Sequence, residues 1–192
     1  MKLKPPGAGL PNLEKLFIKN VLVPSVRILI TWDIALFLLQ RELRIIDKLL
    51  KPIDKNLLTQ KTLINRTFAI EDDTRQFSIN MVLEHLEIAG NKVKDVIETL
   101  SLEKEFEEEI KIENVKPNQN VENQYESFKE FYKEYILFIK SLDKKQSKMK
   151  KKHPWFTEFN NYDWSVFMFM HTFIHRRQIQ AIIKELKLVK IQ

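Results

Sequence analysis

Apolar residues recur every three or four positions along four long stretches of the chain, which is the spacing of an amphipathic helix. The first predicted helix covers residues 26–51, with Ser25 as its N-cap residue. The second begins at Ser78, or slightly earlier at Thr74, and continues for about 23 residues.

The third and fourth stretches complete the pattern. The third, with Asn120 as its predicted cap, continues to Leu142 and carries a broad aromatic face. The fourth begins at Asn160 or Asn161 and runs to about Leu188, with an acidic residue in its first turn that suits the helix dipole. Four such helices predict an all-α fold, an antiparallel four-helix bundle.

The segments outside these helices are long. Residues 1–24 form a predicted N-terminal arm with a short helix at 13–21 that Pro24 interrupts, and residues 25–192 form the predicted domain. Residues 52–73 have no clear period. Gly90 lies inside the second helix at a cost of about 1 kcal/mol relative to alanine, which predicts close packing or an approach to a ligand.

Composition supports this fold class. The chain has 192 residues, 44% of them hydrophobic, which suits one core. It contains only 3 glycines and 7 prolines, too few for a fold with many tight turns. With no cysteine, it can form no disulfide, thiolate metal site, iron–sulfur cluster or cysteine nucleophile. Any metal must therefore be bound by nitrogen or oxygen.

The net charge is +6, and much of the excess lies in residues 144–152. No aromatic side chain interrupts this basic run, and no recognition motif surrounds it. A solvated, mobile loop is the favoured interpretation, because blocks of like charge repel one another. Binding to nucleic acid or another anionic surface is the less favoured alternative.

One apolar stretch, residues 21–39, has a length close to that of a membrane span. It contains Pro24, Arg27 and Asp33, and a charge near the middle of a span costs about 2.5–3.5 kcal/mol. A buried helix is therefore favoured over a transmembrane one. The N-terminus lacks the continuous apolar segment of a secretory signal, so we expect a cytoplasmic protein.

The four histidines are distributed unevenly. His171 and His175 are four residues apart on the fourth helix, which places them on one face about 40° apart. Their neighbours are mainly apolar, and His85 has a similar setting on the second helix. If the two helices are adjacent, three imidazoles converge and leave coordination positions open for water or substrate.

The spacing alone supports a second interpretation equally well, in which these are core histidines satisfied by hydrogen bonds. It also does not determine the metal. Imidazole suits zinc, nickel, copper and iron alike.

Four segments together resemble the DinB-like superfamily of four-helix metalloenzymes. They are Asn80-Met81-Val82-Leu83-Glu84-His85-Leu86, Asn114-Val115-Lys116-Pro117, His153-Pro154-Trp155-Phe156 and His171-x-x-x-His175-x-x-Gln178. The similarity extends over about residues 25–185. The chain departs from the family in its long N-terminal arm, in its long connection at 52–73, and in Thr157 where glycine is usual.

The resemblance implies a metal bound by His85, His171 and His175, with zinc or nickel expected and iron or copper as further candidates. Some relatives are thiol transferases or thiol-dependent isomerases. We therefore expect a metal-dependent enzyme, either a thiol S-transferase or a hydrolase that uses metal-activated water. The alternative is a non-catalytic binding protein of the same fold, with a vestigial or structural metal site and a pocket lined by the aromatic face of the third helix.

Several other residues are candidates for supporting roles, and no catalytic residue is assigned. Gln178 is a candidate partner of a ligand imidazole. Asp33 either orients a ligand histidine or pairs with Arg27, and the ion pair is the favoured of the two. Glu84 is predicted to face solvent. His153, in a loop at the mouth of the bundle, is a candidate for the pocket rim with Trp155 and Trp164. The alternative, that the two tryptophans close the end of the bundle by packing, is favoured.

The expected partner is a small-molecule substrate, with a low-molecular-weight thiol as one candidate. We expect neither nucleic acid nor a membrane as a partner. A homodimer is one candidate assembly.

Overall fold

The computed structural model describes residues 2–189; Met1 and residues 190–192, the end of the predicted domain, lie outside the described residues. Most of the described chain is helical, so the predicted all-α class is confirmed. The helices are α1 (Asn12–Phe17), α2 (Val23–Leu29), α3 (Trp32–Leu50), α4 (Lys55–Leu58), α5 (Ile79–Ser101), α6 (Gln124–Ser141) and α7 (Asn161–Val189). Two short strands, β1 (Lys151–Lys152) and β2 (Glu158–Phe159), pair in antiparallel orientation.

The four longest helices enclose the core. Helix α7 packs against both α3 and α5, and α5 also packs against α6. The three helices α5, α6 and α7 meet at Gly90, where an added Cβ atom would lie 2.5 Å from the Phe131 ring and 2.7 Å from Met168 Cε. The predicted close packing at Gly90 is therefore confirmed.

Helices α5 and α7 begin where the sequence predicts. The Ser78 hydroxyl caps α5 by accepting a hydrogen bond from the backbone N–H of Met81 at 3.1 Å. The Asn160 side chain does the same at the start of α7, where it accepts from the backbone N–H of Asp163 at 2.9 Å. Both caps satisfy N–H groups that the first helical turn leaves unpaired.

The first predicted helix is divided in two. The chain becomes extended at Ile30, and Thr31 then caps α3 through its side chain. The predicted interruption at Pro24 is wrong, because α1 continues through a π-helical turn at Ile18–Leu22 directly into α2. A wider turn changes the hydrogen-bonding pattern just before the proline, whose ring would clash with a regular α-helix.

The third predicted helix begins later than expected. Helix α6 starts at Gln124, and Asn120 is not its cap. Asn120 instead adopts a left-handed conformation with φ of 51°. Its backbone N–H is bound to the Glu84 carboxylate, so this residue belongs to a turn anchored on α5.

The apolar N-terminal stretch does not form a straight span. Among the described residues, no single helix has both the length and the apolar character to cross a membrane. One helix pair, Asn12–Leu29 with Trp32–Leu50, meets the requirement by length and composition only, and it is bent by 107°.

The basic run at residues 144–152 is anchored, contrary to the predicted mobile loop. Ser147 is buried, and its backbone N–H donates to the Asn161 side chain at 2.9 Å. The backbone N–H groups of Lys148 and Met149 donate to the carboxylate of Glu103. These backbone hydrogen bonds hold the middle of the run against Asn161 and Glu103 despite its positive charge.

The N-terminal segment, residues 2–29 with α1 and α2, packs onto the rest of the described chain. The Glu14 carboxylate forms an ion pair with Arg66. The backbone N–H of Gly9 donates to the Glu71 side chain at 2.8 Å. These contacts hold residues 9–14 against the connection between α4 and α5.

Candidate metal centre

The three predicted histidines lie together. His85 comes from α5, and His171 and His175 come from α7. Each offers a ring nitrogen, and these three atoms all lie within 4.8 Å of one another. His85 and His175 are buried and His171 is half-buried. The predicted convergence is therefore confirmed.

A backbone carbonyl determines the orientation of His85. Its Nδ1 atom lies 2.7 Å from the carbonyl oxygen of Val115. A carbonyl oxygen only accepts hydrogen bonds, so Nδ1 must carry the ring proton. The Nε2 atom of the neutral ring is then an acceptor, and it lies at hydrogen-bond distance, 3.1 Å, from Nε2 of His171.

A side-chain amide has the same effect on His175. Gln178 donates through Nε2 to the carbonyl oxygen of Thr74 at 2.8 Å, so its Oε1 atom faces Nδ1 of His175 at 2.7 Å. Since Oε1 can only accept, Nδ1 of His175 carries the proton. The predicted contact between Gln178 and a cluster imidazole is present. Metal-binding histidines typically donate their other ring N–H to such an oxygen acceptor.

His171 is the least constrained of the three by hydrogen bonds. Its Nδ1 atom is buried without a hydrogen-bond partner among the described residues. Its ring stacks on Phe167, with ring centroids 5.2 Å apart and an angle of 22° between the planes. This stacking, together with the contact of its Nε2 atom with His85, orients the side chain.

The donor set fits a divalent transition metal. Two ligand nitrogens on a tetrahedral ion, each about 2.0–2.1 Å from it, lie about 3.3 Å apart. The 3.1 Å between Nε2 of His85 and Nε2 of His171 is close to that spacing. Three neutral imidazoles leave at least one coordination position open, as in a catalytic site.

Burial keeps these imidazoles neutral. It lowers the pKa of His85 from 6.5 to about 4, against the opposing effect of the Val115 carbonyl. Burial also holds the pKa of His171 and of His175 well below 6.5, and the neighbouring imidazoles lower both further. At neutral pH the cluster therefore needs to lose no proton before it binds a cation.

Two ion pairs lie next to the backbone carbonyls that accept hydrogen bonds from His85 and Gln178. Lys116 contacts the carboxylates of both Glu71 and Asp73, the latter at 2.9 Å. Lys116 directly follows Val115, and Asp73 directly precedes Thr74. The ion pairs thus join the two segments whose carbonyls orient His85 and Gln178.

Glu84 was predicted to face solvent, and this prediction is wrong. It is buried, and its carboxylate accepts hydrogen bonds from the backbone N–H groups of Asn118, Gln119 and Asn120 at 2.9 to 3.2 Å. Helical spacing alone cannot reveal this, because the residues that cover Glu84 come from a distant turn. The contact ties that turn to α5 beside His85.

Asp33 contacts neither a cluster histidine nor Arg27. It is exposed and pairs with Lys144 at 2.7 Å. Arg27 instead pairs with Asp163 at 2.8 Å. The reason is the break at Ile30, which separates α2 from α3 and places the two residues on different helices.

All three predicted rim residues line a cavity that lies beside the histidine cluster, but two of them are buried and do not form its edge. His153 and Trp164 are buried in its wall, and Trp155 is partly exposed. His153 stacks on Phe156 with ring centroids 4.4 Å apart. It is a wall residue outside the three-histidine cluster.

A cavity of about 150 Å³ lies beside the cluster and includes all three histidines in its wall. Most of the wall is apolar. It is formed by α5, α7 and the N-terminal segment, together with parts of residues 69–74, 110–116 and 153–159. Helix α6 contributes nothing to it, so a pocket lined by the aromatic face of the third helix is wrong for this cavity.

Several residues of the site carry no sequence signal that a single chain could reveal. Val115 and Thr74 act through backbone carbonyls, which every residue has. Glu71 and Lys116 act through an ion pair between distant segments. Only Gln178 has a recognisable signal, its position three residues after His175 on the same helix.

Comparisons with protein-family profiles, curated proteins and solved structures give no match to this chain.

Proposed function

We propose that this chain is a metal-dependent enzyme whose reacting centre is a divalent transition metal bound by His85, His171 and His175. Zinc or nickel is the expected ion. We further propose that the four longest helices form an antiparallel four-helix bundle of the DinB-like kind. The packing of α7 against α3 and α5, and of α5 against α6, supports this arrangement.

One observation carries the metal proposal. Two of the three imidazoles, His85 and His175, have Nδ1 bound to an oxygen acceptor at 2.7 Å, so both rings present the unprotonated Nε2 atom to the cluster. A core histidine that is merely satisfied by hydrogen bonds needs no third neighbour. Here two neutral rings turn unprotonated Nε2 atoms toward a third ring; a cation would replace the hydrogen bond between His85 and His171 and is the partner that suits all three.

When bound, the metal supplies a Lewis acid that favours the deprotonated form of a water or thiol. The chain's own residues do the rest. Val115 and Gln178 hold two imidazoles in the ligating tautomer, Phe167 orients the third, and the cavity wall limits access of water. The two reactions that we propose for such a centre are thiol S-transfer and hydrolysis.

Metal uptake tests the proposal. Purified, chelator-treated protein is titrated with Zn²⁺ and Ni²⁺ by calorimetry, and bound metal is then measured by elemental analysis. We expect about one ion per chain, and a large loss of affinity in His171→Ala because three ligands become two.

The fourth histidine provides the matched control. His153 is also buried but lies outside the cluster, so His153→Phe should bind metal as the unchanged protein does. Less than a tenth of an ion per chain in the unchanged protein, or equal uptake by His171→Ala, would refute the metal centre.

A further inference from the structure

We infer that the cavity beside the three histidines takes a neutral, largely apolar molecule, and that this is the substrate class of the proposed enzyme rather than a charged thiol. The assignment to a substrate rests on the proposed function. The preference of the cavity for a neutral ligand rests on its wall alone.

The first argument is the state of the charged groups in the wall. Among the described residues, five charged side chains line the cavity, and each is already paired with a group of opposite charge. Arg27 pairs with Asp163, and Lys116 pairs with Glu71. Lys92 pairs with Glu108 outside the wall. No charged group of the wall is thus left over for a charged ligand.

The second argument is the cost of bringing a charge into such a site. The wall is mostly aliphatic and aromatic, with residues such as Val26, Val93 and Ile174. In the metal-free protein, an ion moved from water into these surroundings loses its hydration and meets no unpaired charged side chain among the described wall residues. A neutral hydrocarbon chain instead gains from leaving water.

The third argument is how the cavity is enclosed. The N-terminal segment contributes only one charged residue to the wall, Arg27, and otherwise apolar ones such as Leu22 and Val23. The same segment is held in place by the contact of Gly9 with Glu71. The segment therefore extends the apolar surface over the histidine cluster.

Three eight-carbon probes test the inference on metal-free protein. They are 1-octanol, octanoate and octylammonium, which share a chain and differ in the charge of the head group. Binding is measured by calorimetry and by the fluorescence of Trp155 and Trp164, which line the cavity. We expect octanol to bind at least about ten-fold more tightly than either ion.

Chain length provides a second measurement. From 1-butanol to 1-octanol, affinity should rise about four-fold per methylene until the cavity is filled. Equal affinity for octanol and either ion, or no dependence on chain length, overturns the inference.

A pair of variants on α2 locates the binding site. Val26 lines the cavity, whereas Leu29 on the same helix is 71% exposed and lies outside the wall. Val26→Glu should weaken octanol binding at least about ten-fold, because it adds a charge to the wall. Leu29→Glu should leave it unchanged, and equal effects of the two variants contradict the assignment. If circular dichroism shows Val26→Glu to be unfolded, the head-group series on the unchanged protein decides.

The two proposals fail separately. Absence of metal uptake with a preserved preference for octanol refutes the proposed enzyme and leaves the neutral cavity in place. Metal uptake with no preference for octanol refutes the neutral cavity and leaves the metal centre in place.

Discussion

The three clustered histidines differ in how each ring is held. Val115 holds His85 through a backbone carbonyl, which no side-chain substitution removes. Gln178 holds His175 through a side chain that is itself fixed by Thr74. Of the two oxygen acceptors, only that of Gln178 can thus be removed by substitution while the backbone stays in place.

Gln178→Leu should weaken metal binding about 10–100-fold. Leucine has a similar volume but no acceptor for Nδ1 of His175, so the ring loses its fixed tautomer and orientation. The measurement is a competition titration with a Zn²⁺ chelator.

The matched control for this prediction is Gln180→Leu, an exposed position on the same helix, which should bind Zn²⁺ like the unchanged protein. Gln178→Leu also leaves the buried Nδ1–H of His175 without its acceptor, at a cost of about 1–3 kcal/mol in stability, whereas the Thr74 carbonyl keeps its hydrogen bond from the backbone N–H of Phe77. Folding is therefore checked at the assay temperature. Unchanged Zn²⁺ affinity in folded Gln178→Leu would show that this hydrogen bond does not orient His175.

The packing of whole helices depends on one small residue. Gly90 lies on α5 opposite the Phe131 ring of α6 and the Met168 side chain of α7. The Phe131 ring is itself packed against Tyr132 and Tyr135, with ring centroids 5.0 and 6.0 Å away. It therefore has little room to move away from an added methyl group.

Gly90→Ala should lower the free energy of unfolding by up to about 2 kcal/mol. Overpacking costs about 1–3 kcal/mol, which exceeds the gain of about 1 kcal/mol that alanine brings in helix propensity. Urea unfolding measures the difference.

The physical cause is tested in a second background. In Phe131→Leu the obstructing ring is gone, so adding Gly90→Ala should be neutral or stabilising there. Asn91→Ala, an exposed neighbour on α5, provides the control for propensity alone and should not destabilise. A loss of stability from Gly90→Ala that is the same in both backgrounds would rule out the Phe131 contact as its cause.

Considered as a whole molecule, the folded chain keeps all four histidines out of water or nearly so. Burial lowers the pKa of His85 to about 4 and that of His153 to about 3. Those of His171 and His175 lie well below 6.5 for the same reason. In the unfolded chain each histidine titrates near its ordinary pKa of about 6.5.

Metal-free protein should therefore lose stability as the pH falls below about 6.5. Between pH 6.5 and the lowered pKa, the unfolded state binds more protons than the folded state, so the free energy of unfolding falls with falling pH. For His153 the window extends from 6.5 to about 3. Its contribution to the loss between pH 7 and pH 5 is about 2 kcal/mol.

His153→Phe isolates this contribution. The variant keeps an aromatic ring in the wall but removes the titrating group, so its loss of stability between pH 7 and pH 5 should be smaller by about 2 kcal/mol. Urea unfolding at the two pH values provides the comparison. An equal loss in both proteins would mean that His153 is protonated in the folded state.

Local patterns were sufficient for part of this architecture. The start of α5 at Ser78 and of α7 after Asn160 followed from capping residues next to an apolar period. Breaks were harder to predict. The π-helical turn before Pro24 and the extended residue Ile30 depend on packing that a short window does not contain.

The sequence by itself determined that His171 and His175 share one helix face and that His85 lies on another apolar face, because helical spacing is a local property. Only the tertiary structure decided which atoms orient those rings and what encloses the cavity. Carbonyls such as that of Val115 are chemically alike at every position, so no residue type marks them. The N-terminal segment encloses the cavity through contacts with residues about 60 positions away, such as Gly9 with Glu71 at a separation of 62. Such contacts leave no periodic trace in the chain.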